Sequence, residues 1–376
     1  MLTKDEIRQL FPITRKYVYF QNAGFVPCCT RVSEAMIQHM NEWLEKGDCW
    51  DEWSRRFEDA KSLFSSLINA KPREIASIPN TSTGIGLVAN IIDPKPGQNI
   101  VVSDLEFHGD VYAWLKRRRY GVEVRYAKSI QGRVTPDSIA EQVDDRTAAV
   151  NISHVTWNNG FKHDLAGIAE IAHRHGAYLV VDAAQSAGAT RIDVARDGVD
   201  FLACPTFKWL LGPAGAGFLY VREDLATRLE PSVMGWMSVT NPLEYDIWNL
   251  KLRADAGRFE TGTPALMLFD GARAGMKLLQ EYGILNVERE ILSLTGHLIK
   301  GLKELNLRIR TPFNDDSRAG IVNFDVKDPH QVSAKLLEKS IVVSVKAGGI
   351  RVSPGIYNTI DEIDLLLKEI KAIVLG

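Results

Sequence analysis

In this 376-residue chain an aspartate at position 182 and a lysine at position 208 close two short apolar runs. Residues 178–181 (YLVV) and 201–204 (FLAC) are continuous β-branched, aromatic and aliphatic stretches, the kind that fits strands buried on both faces. Asp182 ends the first run, with Gln185 three residues on, and Thr206, Phe207 and Lys208 follow the second. In open α/β sheets reactive groups gather just beyond the carboxyl ends of the strands, so Asp182, Gln185 and Lys208 are expected to face one cleft. An amine and a carboxylate so placed are the pair that pyridoxal phosphate chemistry requires. The amine bonds to the cofactor aldehyde, and the acid keeps a proton on the pyridine nitrogen, which makes the ring an electron sink for charge at a substrate Cα. Apolar neighbours Phe207 and Trp209 favour partial burial of Lys208, which lowers its pKa and improves the amine as a nucleophile. Alone, the aspartate reads as a helix cap and the lysine as a solvated charge; the pair carries the argument.

Residues 80–92 (NTSTGIGLVANII) form a junction between a strand and a helix. Thr81, Ser82 and Thr83 offer hydroxyls, Gly84 and Gly86 allow close backbone approach, and the free N–H groups of a helix start suit an anion. The spacing is neither a Walker loop nor GxGxxG, and the GPAGAG run after Lys208 precedes a strand instead of a helix, so no nucleotide is indicated.

The elements that must position these groups alternate between strand and helix at crossover lengths. That pattern predicts an α/β fold with a mostly parallel, doubly wound sheet. The length allows a large cofactor-binding domain over residues 15–255 and a smaller α+β domain built from 1–14 and 256–376. Two amphipathic helices are expected early. One stripe holds Met36, Ile37, Met40, Trp43 and Leu44, and the other Trp53, Phe57, Ala60, Phe64 and Leu67, as core or as a subunit interface. A formal net charge of −2 excludes a general electrostatic nucleic-acid binder, and the basic cluster at 116–119 reads as the complement of a helix C-terminus. Four cysteines without CxxC or metal-ligand spacing suit a reducing compartment. His173 and His175, two apart in a predicted helix, do not share a face, so no metal site is expected. The N-terminus lacks a signal-peptide core and no apolar run approaches spanning length, so the expected location is the cytoplasm, with no membrane partner.

Taken in order, NTST, DLEFHGDVYAW, DAAQS, TFKWLLGPAGAGFLYV, RFETGT and RVSPGIYNT resemble the fold-type I pyridoxal phosphate enzymes of the class V aminotransferase group. That group includes cysteine desulfurases, selenocysteine lyases and isopenicillin N epimerase-like proteins. The resemblance covers nearly the whole chain and implies an aspartate aminotransferase-like large domain, pyridoxal 5'-phosphate as cofactor and an amino acid as substrate. It implies that Thr81 and Ser82 hold the cofactor phosphate, that His108 stacks on the ring, and that Gln185 bonds the ring hydroxyl. Thr206 is the local hydroxyl of a lysine segment that lacks the usual Ser-x-His-Lys. Arg351 falls on the arginine that grips the substrate carboxylate, and Asn22 and Ala23 on a segment that passes close to the substrate. Thr263 falls on a residue that reaches the phosphate in the neighbouring subunit, which implies a homodimer. Three departures stand out. Asp110 replaces an Asn, Trp157 replaces a carboxylate-binding Asn and leaves Asn158 beside it, and no cysteine follows Cys204 to act as a desulfurase thiol. The expected activity is therefore an aminotransferase, with a C–S or other β-lyase and an epimerase as alternatives.

Overall fold

The structure, a computed structural model, describes residues 2–375. Its central sheet has seven strands: β1 Ile75–Ile78, β2 Asn99–Ser103, β3 Glu123–Ala127, β4 Thr147–Ser153, β5 Tyr178–Asp182, β6 Phe201–Pro205 and β7 Gly217–Val221. They lie in the order β1-β7-β6-β5-β4-β2-β3. β7 runs antiparallel to both of its neighbours, and the remaining pairs are parallel. Every residue of β2, β4, β6 and β7 is buried, which is why these strands are predominantly apolar instead of alternating.

Alternate side chains feed two cores, one on each face. Leu179 and Val181 pack with residues of the helices Trp50–Leu67 and Leu266–Tyr282. Val180, Phe201 and Ala203 pack with Ile85 and Val88 of the helix Thr81–Ile92. Of the two early stripes, Trp53, Phe57, Ala60 and Phe64 enter the core, whereas Ile37, Met40, Trp43 and Leu44 stay exposed.

The smaller sheet is antiparallel and has three strands, β8 Val322–Phe324, β9 Ser344–Lys346 and β10 Gly349–Val352, in the order β9-β10-β8. Ala347 and Gly348 join β9 to β10 with φ of 51° and 78°, the two positive values of a type I′ turn. Residues 307–310 form no strand and make one isolated bridge, from Ile309 to Phe324.

The side chains draw the boundary elsewhere than at 255/256. Ile7 and Phe11 belong to the first large-sheet core, and Ala256 and Phe259 to the second. The helix Leu266–Tyr282 lays Phe269, Ala272 and Met276 into the first core, because its apolar face packs across the helices Thr30–Lys46 and Trp50–Leu67. The separate small core starts at Leu294, within the helix Ile284–Glu304, and takes in Phe20 from the N-terminal segment. Met1 and Gly376, the outermost residues of the expected small domain, lie outside the described residues.

Between β5 and β6 the register pairs Val180 with Phe201 and Asp182 with Ala203. The two chains therefore leave the sheet together at its carboxyl edge. Above them sits the start of the Thr81–Ile92 helix, held close by Gly84, where an added Cβ would lie 2.6 Å from Ile78 Cδ1 and 2.9 Å from Ala203 Cβ. Gly86 faces open space, so of the two glycines only Gly84 is demanded by packing. Gly84→Val should lower stability by about 1–3 kcal/mol in urea unfolding, the usual cost of overpacking a filled core, and should weaken binding at the helix start as well.

Candidate active site

Loops leaving β2, β4, β5 and β6 enclose a cavity of about 340 Å³ at the carboxyl edge of the sheet. The position is the one that open α/β sheets reserve for ligands. Asp182 and Lys208 both line it. Asp182 is buried, and one of its carboxylate oxygens accepts the backbone N–H of Ala184 at 2.6 Å. Lys208 is half-buried, its ammonium 5.6 Å from the centre of the Phe207 ring. Burial lowers its pKa, and Arg351 pushes the same way, while Asp182 and Asp110 oppose. A lysine so placed gives up its proton more readily and becomes a better nucleophile and base.

Gln185 lines the same wall; its Nε2 donates to Ala23 O at 3.0 Å, and its Oε1 accepts from Trp209 Nε1 at 2.9 Å. The second Nε2 hydrogen is left for a ligand. Arg351, on β10, is 2% exposed. Its Nε donates to Ser344 Oγ at 3.2 Å and its Nη1 to Trp157 O at 2.7 Å, both neutral oxygens. Burial pulls its pKa down to about 10. A buried guanidinium facing a cavity without a counter-charge suits a carboxylate, which it can meet through two parallel hydrogen bonds. At the opposite wall the helix Thr81–Ile92 opens on the cavity with Thr81 and Ser82. The Thr81 hydroxyl is buried with no hydrogen-bond partner, as expected of a group set to receive an anion at a helix start.

An amine, an unpartnered hydroxyl at a helix N-terminus and an uncompensated guanidinium around one cavity fit pyridoxal phosphate with an amino acid. The family described as Aminotransferase class-V matches residues 18–366. The chain belongs to that family. An uncharacterized aminotransferase, YcbU, of Bacillus subtilis is 30% identical over 98% of this chain and 97% of its own length. The apo structure of the cysteine desulfurase from Thermococcus onnurineus NA1 superposes with a TM-score of 0.91 at 28% identity, covering 100% of this chain and 99% of that one. A mutant of C-DES with glycine covalently linked to its PLP cofactor has a TM-score of 0.88 at 26% identity, covering 96% and 98%. This class V family member is a pyridoxal 5'-phosphate-dependent enzyme that acts on an amino acid.

Several side chains expected from the sequence lie elsewhere in this family member. Thr83 is exposed, and its hydroxyl donates to Asn80 Oδ1 at 3.1 Å, so it belongs to the helix cap. Thr206 is fully buried, and its hydroxyl is engaged by the carbonyls of Pro213 and Ala216 at 2.6 and 3.0 Å, so it holds the glycine-rich turn. Asn158 turns away to a neighbouring cleft, where its Oδ1 accepts from Asn159 N, and Trp157 takes the cavity wall. His108 is exposed at the first turn of the helix His108–Leu115, its ring 4.1 Å from Phe107, and Phe107 is the residue that lines the cavity. Thr263 is exposed and lines no part of this cavity. Ala23 lines it; Asn22 sits just behind, its Oδ1 accepting from the Tyr357 hydroxyl at 3.1 Å and its Nδ2 buried without a partner.

Two buried acids escaped the sequence reading as site groups. Glu106 accepts from Ser153 N at 2.9 Å and from the Ser153 hydroxyl, and burial pushes its pKa up to about 7 against those bonds. Asp110 is raised well above the carboxylate range, first by burial and then by Asp182. For Glu106 the signal is its place between a strand end and a helix, which does not distinguish a buried acid from a capping one; for Asp110 it is the replacement of an expected Asn in the first turn of that helix.

Behind the site, His154 N donates to Asp182 O at 2.8 Å and His163 N to His154 O at 2.9 Å, tying the β4 exit to β5. Burial pushes His154 down to about 3 and His163 to about 4. The fold thus holds both neutral, whereas the unfolded chain protonates them near 6.5. Stability from these two groups is intact above pH 6.5 and falls as the pH drops through 6.5 toward 4, by about 1.4 kcal/mol per pH unit for each. Urea midpoints measured across that range should decline, and His163→Gln should reduce the slope whatever its effect at neutral pH.

Proposed function

We propose that this class V enzyme is an aminotransferase, working as a cytoplasmic homodimer. The observation that carries the reading is the composition of the cavity wall. It offers no cysteine and two lysines, of which Lys208 is held near the Asp182 charge while Lys346 is exposed at the rim. Moving a proton from Cα to a cofactor carbon needs a single base, whereas persulfide formation by a desulfurase needs a protein thiol. Cys204 is fully enclosed, its thiol bonded to Pro205 O at 3.2 Å, and the segment before Arg351 is a tight hairpin with no cysteine.

Arg351 binds the substrate carboxylate and so fixes which face of Cα meets Lys208. Bound pyridoxal phosphate supplies an electron-withdrawing ring that makes the Cα–H bond acidic. Asp182 holds the proton on the ring nitrogen, and Gln185 donates to the ring hydroxyl. Thr81 and Ser82 hold the phosphate together with the free N–H groups of their helix. Lys208, its pKa lowered by burial, would take the Cα proton as a neutral amine and hold it beside the bound cofactor. Phe107, whose ring lies against His108, would pack on the bound cofactor from the cavity wall, and Trp157 would limit the room for the substrate side chain. Trp43, Leu44, Ile247 and Trp248 are exposed apolar side chains of the kind a second copy would cover, and the exposed Thr263 is free to serve that copy's site.

Incubation with a panel of amino acids and a keto-acid acceptor tests the reaction. Transfer yields the keto acid of the donor. Pyruvate with sulfide from cysteine identifies a lyase instead, and inverted product identifies an epimerase. Arg351→Lys should lower kcat/KM for the amino acid by roughly 100-fold, because an ammonium cannot make the paired contact, while cofactor binding stays unchanged.

A further inference from the structure

Asp110 has no task in this scheme, yet it stands at its centre. It lies in the first turn of the helix His108–Leu115, lines the cavity and is 1% exposed. Its Oδ2 is buried without a partner, and Asp182 lines the same cavity and is the charged group that weighs most on it. Two carboxylates crowded into one buried cavity strongly disfavour both keeping their charge; a proton held between them removes the repulsion and allows a hydrogen bond. The other charged groups facing the pair do not remove the need for it. Glu106 adds repulsion, and its Oε2 is already taken by Ser153. Lys208 attracts, but it is shared with Asp182, and Arg351 weighs on that lysine in turn. The Cys204 thiol is held neutral by burial.

We propose that Asp110 is a positioning residue that keeps its proton and donates a hydrogen bond through it to Asp182, so that Asp182 meets the ring nitrogen as a carboxylate oriented by a neutral acid. This rests on Asp182 facing that nitrogen. The pair then carries one negative charge, which matches the one positive charge of a protonated ring. It also accounts for an acid where the resemblance leads one to expect an amide, because a protonated carboxyl and an amide both donate a hydrogen bond. The two differ in that the acid can be titrated.

The test compares the wild type, Asp110→Asn, Asp110→Ala and Asp182→Asn. In the cofactor-free protein, urea unfolding is measured at pH 5 and pH 8. The unfolded chain ionises Asp110 near pH 4 while the fold keeps it protonated, so the wild type loses stability as pH rises above that value. Asp110→Asn has no such loss. It should be more stable than the wild type at pH 8, with the gap shrinking at pH 5. The same substitution in an Asp182→Asn background should show a smaller change of gap, the remainder coming from burial alone; an unreduced change would show that Asp182 has no part in it. In the cofactor-loaded protein, Asp110→Asn should keep pyridoxal phosphate affinity within about 3-fold, and Asp110→Ala should lose about 10-fold or more. A gap that does not change with pH would overturn the shared proton, and equal cofactor affinity in the Asn and Ala variants would overturn the positioning role. Failure of every protein, wild type included, to bind pyridoxal phosphate would instead overturn the ring-nitrogen assignment, while the pH gap still decides whether the two acids share a proton.

Discussion

The parallel ladder between Tyr178–Asp182 and Phe201–Pro205 is the constraint on which the site depends. With Asp182 opposite Ala203, the chain that carries the acid and the chain that carries Lys208 leave the sheet side by side. A slip of one residue would turn Asp182 to the other face of the sheet, because side chains alternate with period two. The apolar runs that make these strands legible also forbid that slip, since each side chain already belongs to one of two cores.

A sheet buried on both faces brings its functional charges into a dry edge, and the electrostatics follow from that. Lys208 and Arg351 are pushed toward their neutral forms, and Glu106 and Asp110 toward theirs. The Thr81 hydroxyl and one Asn22 nitrogen have no partner at all. Such a site is incompletely satisfied by the protein itself. A phosphate and an α-carboxylate supply the two anions that its helix start and its guanidinium lack. This is the physical sense in which the cavity is shaped for a ligand, and ligand binding is expected to stabilise the fold as a whole.

Groups tied to strand ends were legible in the sequence because an apolar run that stops at a polar residue fixes both the element and the side chain's place. Asp182, Gln185 and Lys208 are of this kind, and the structure brings the three together around one cavity. Arg351 came from the motif around it, since a lone arginine after a glycine turn has no distinguishing pattern. Thr206 and Thr83 misled because a hydroxyl near a site is as readily consumed by the local backbone or cap, and sequence does not show which carbonyl it reaches. His108 and Phe107 differ by one position at the start of a helix, where one residue turns a side chain by about 100°. Asn158 gave way to Trp157 for a similar reason. The domain boundary was missed because the helix Leu266–Tyr282 follows the large domain in sequence and also packs into it, so no change of composition marks the join.

The most direct measurement is borohydride reduction of the protein loaded with pyridoxal phosphate, followed by peptide mapping of the pyridoxyl group. The account predicts loss of the visible absorption band and a single modified residue, Lys208. Modification at Lys346 or at another lysine, or no stable label on a protein that folds normally, would contradict it.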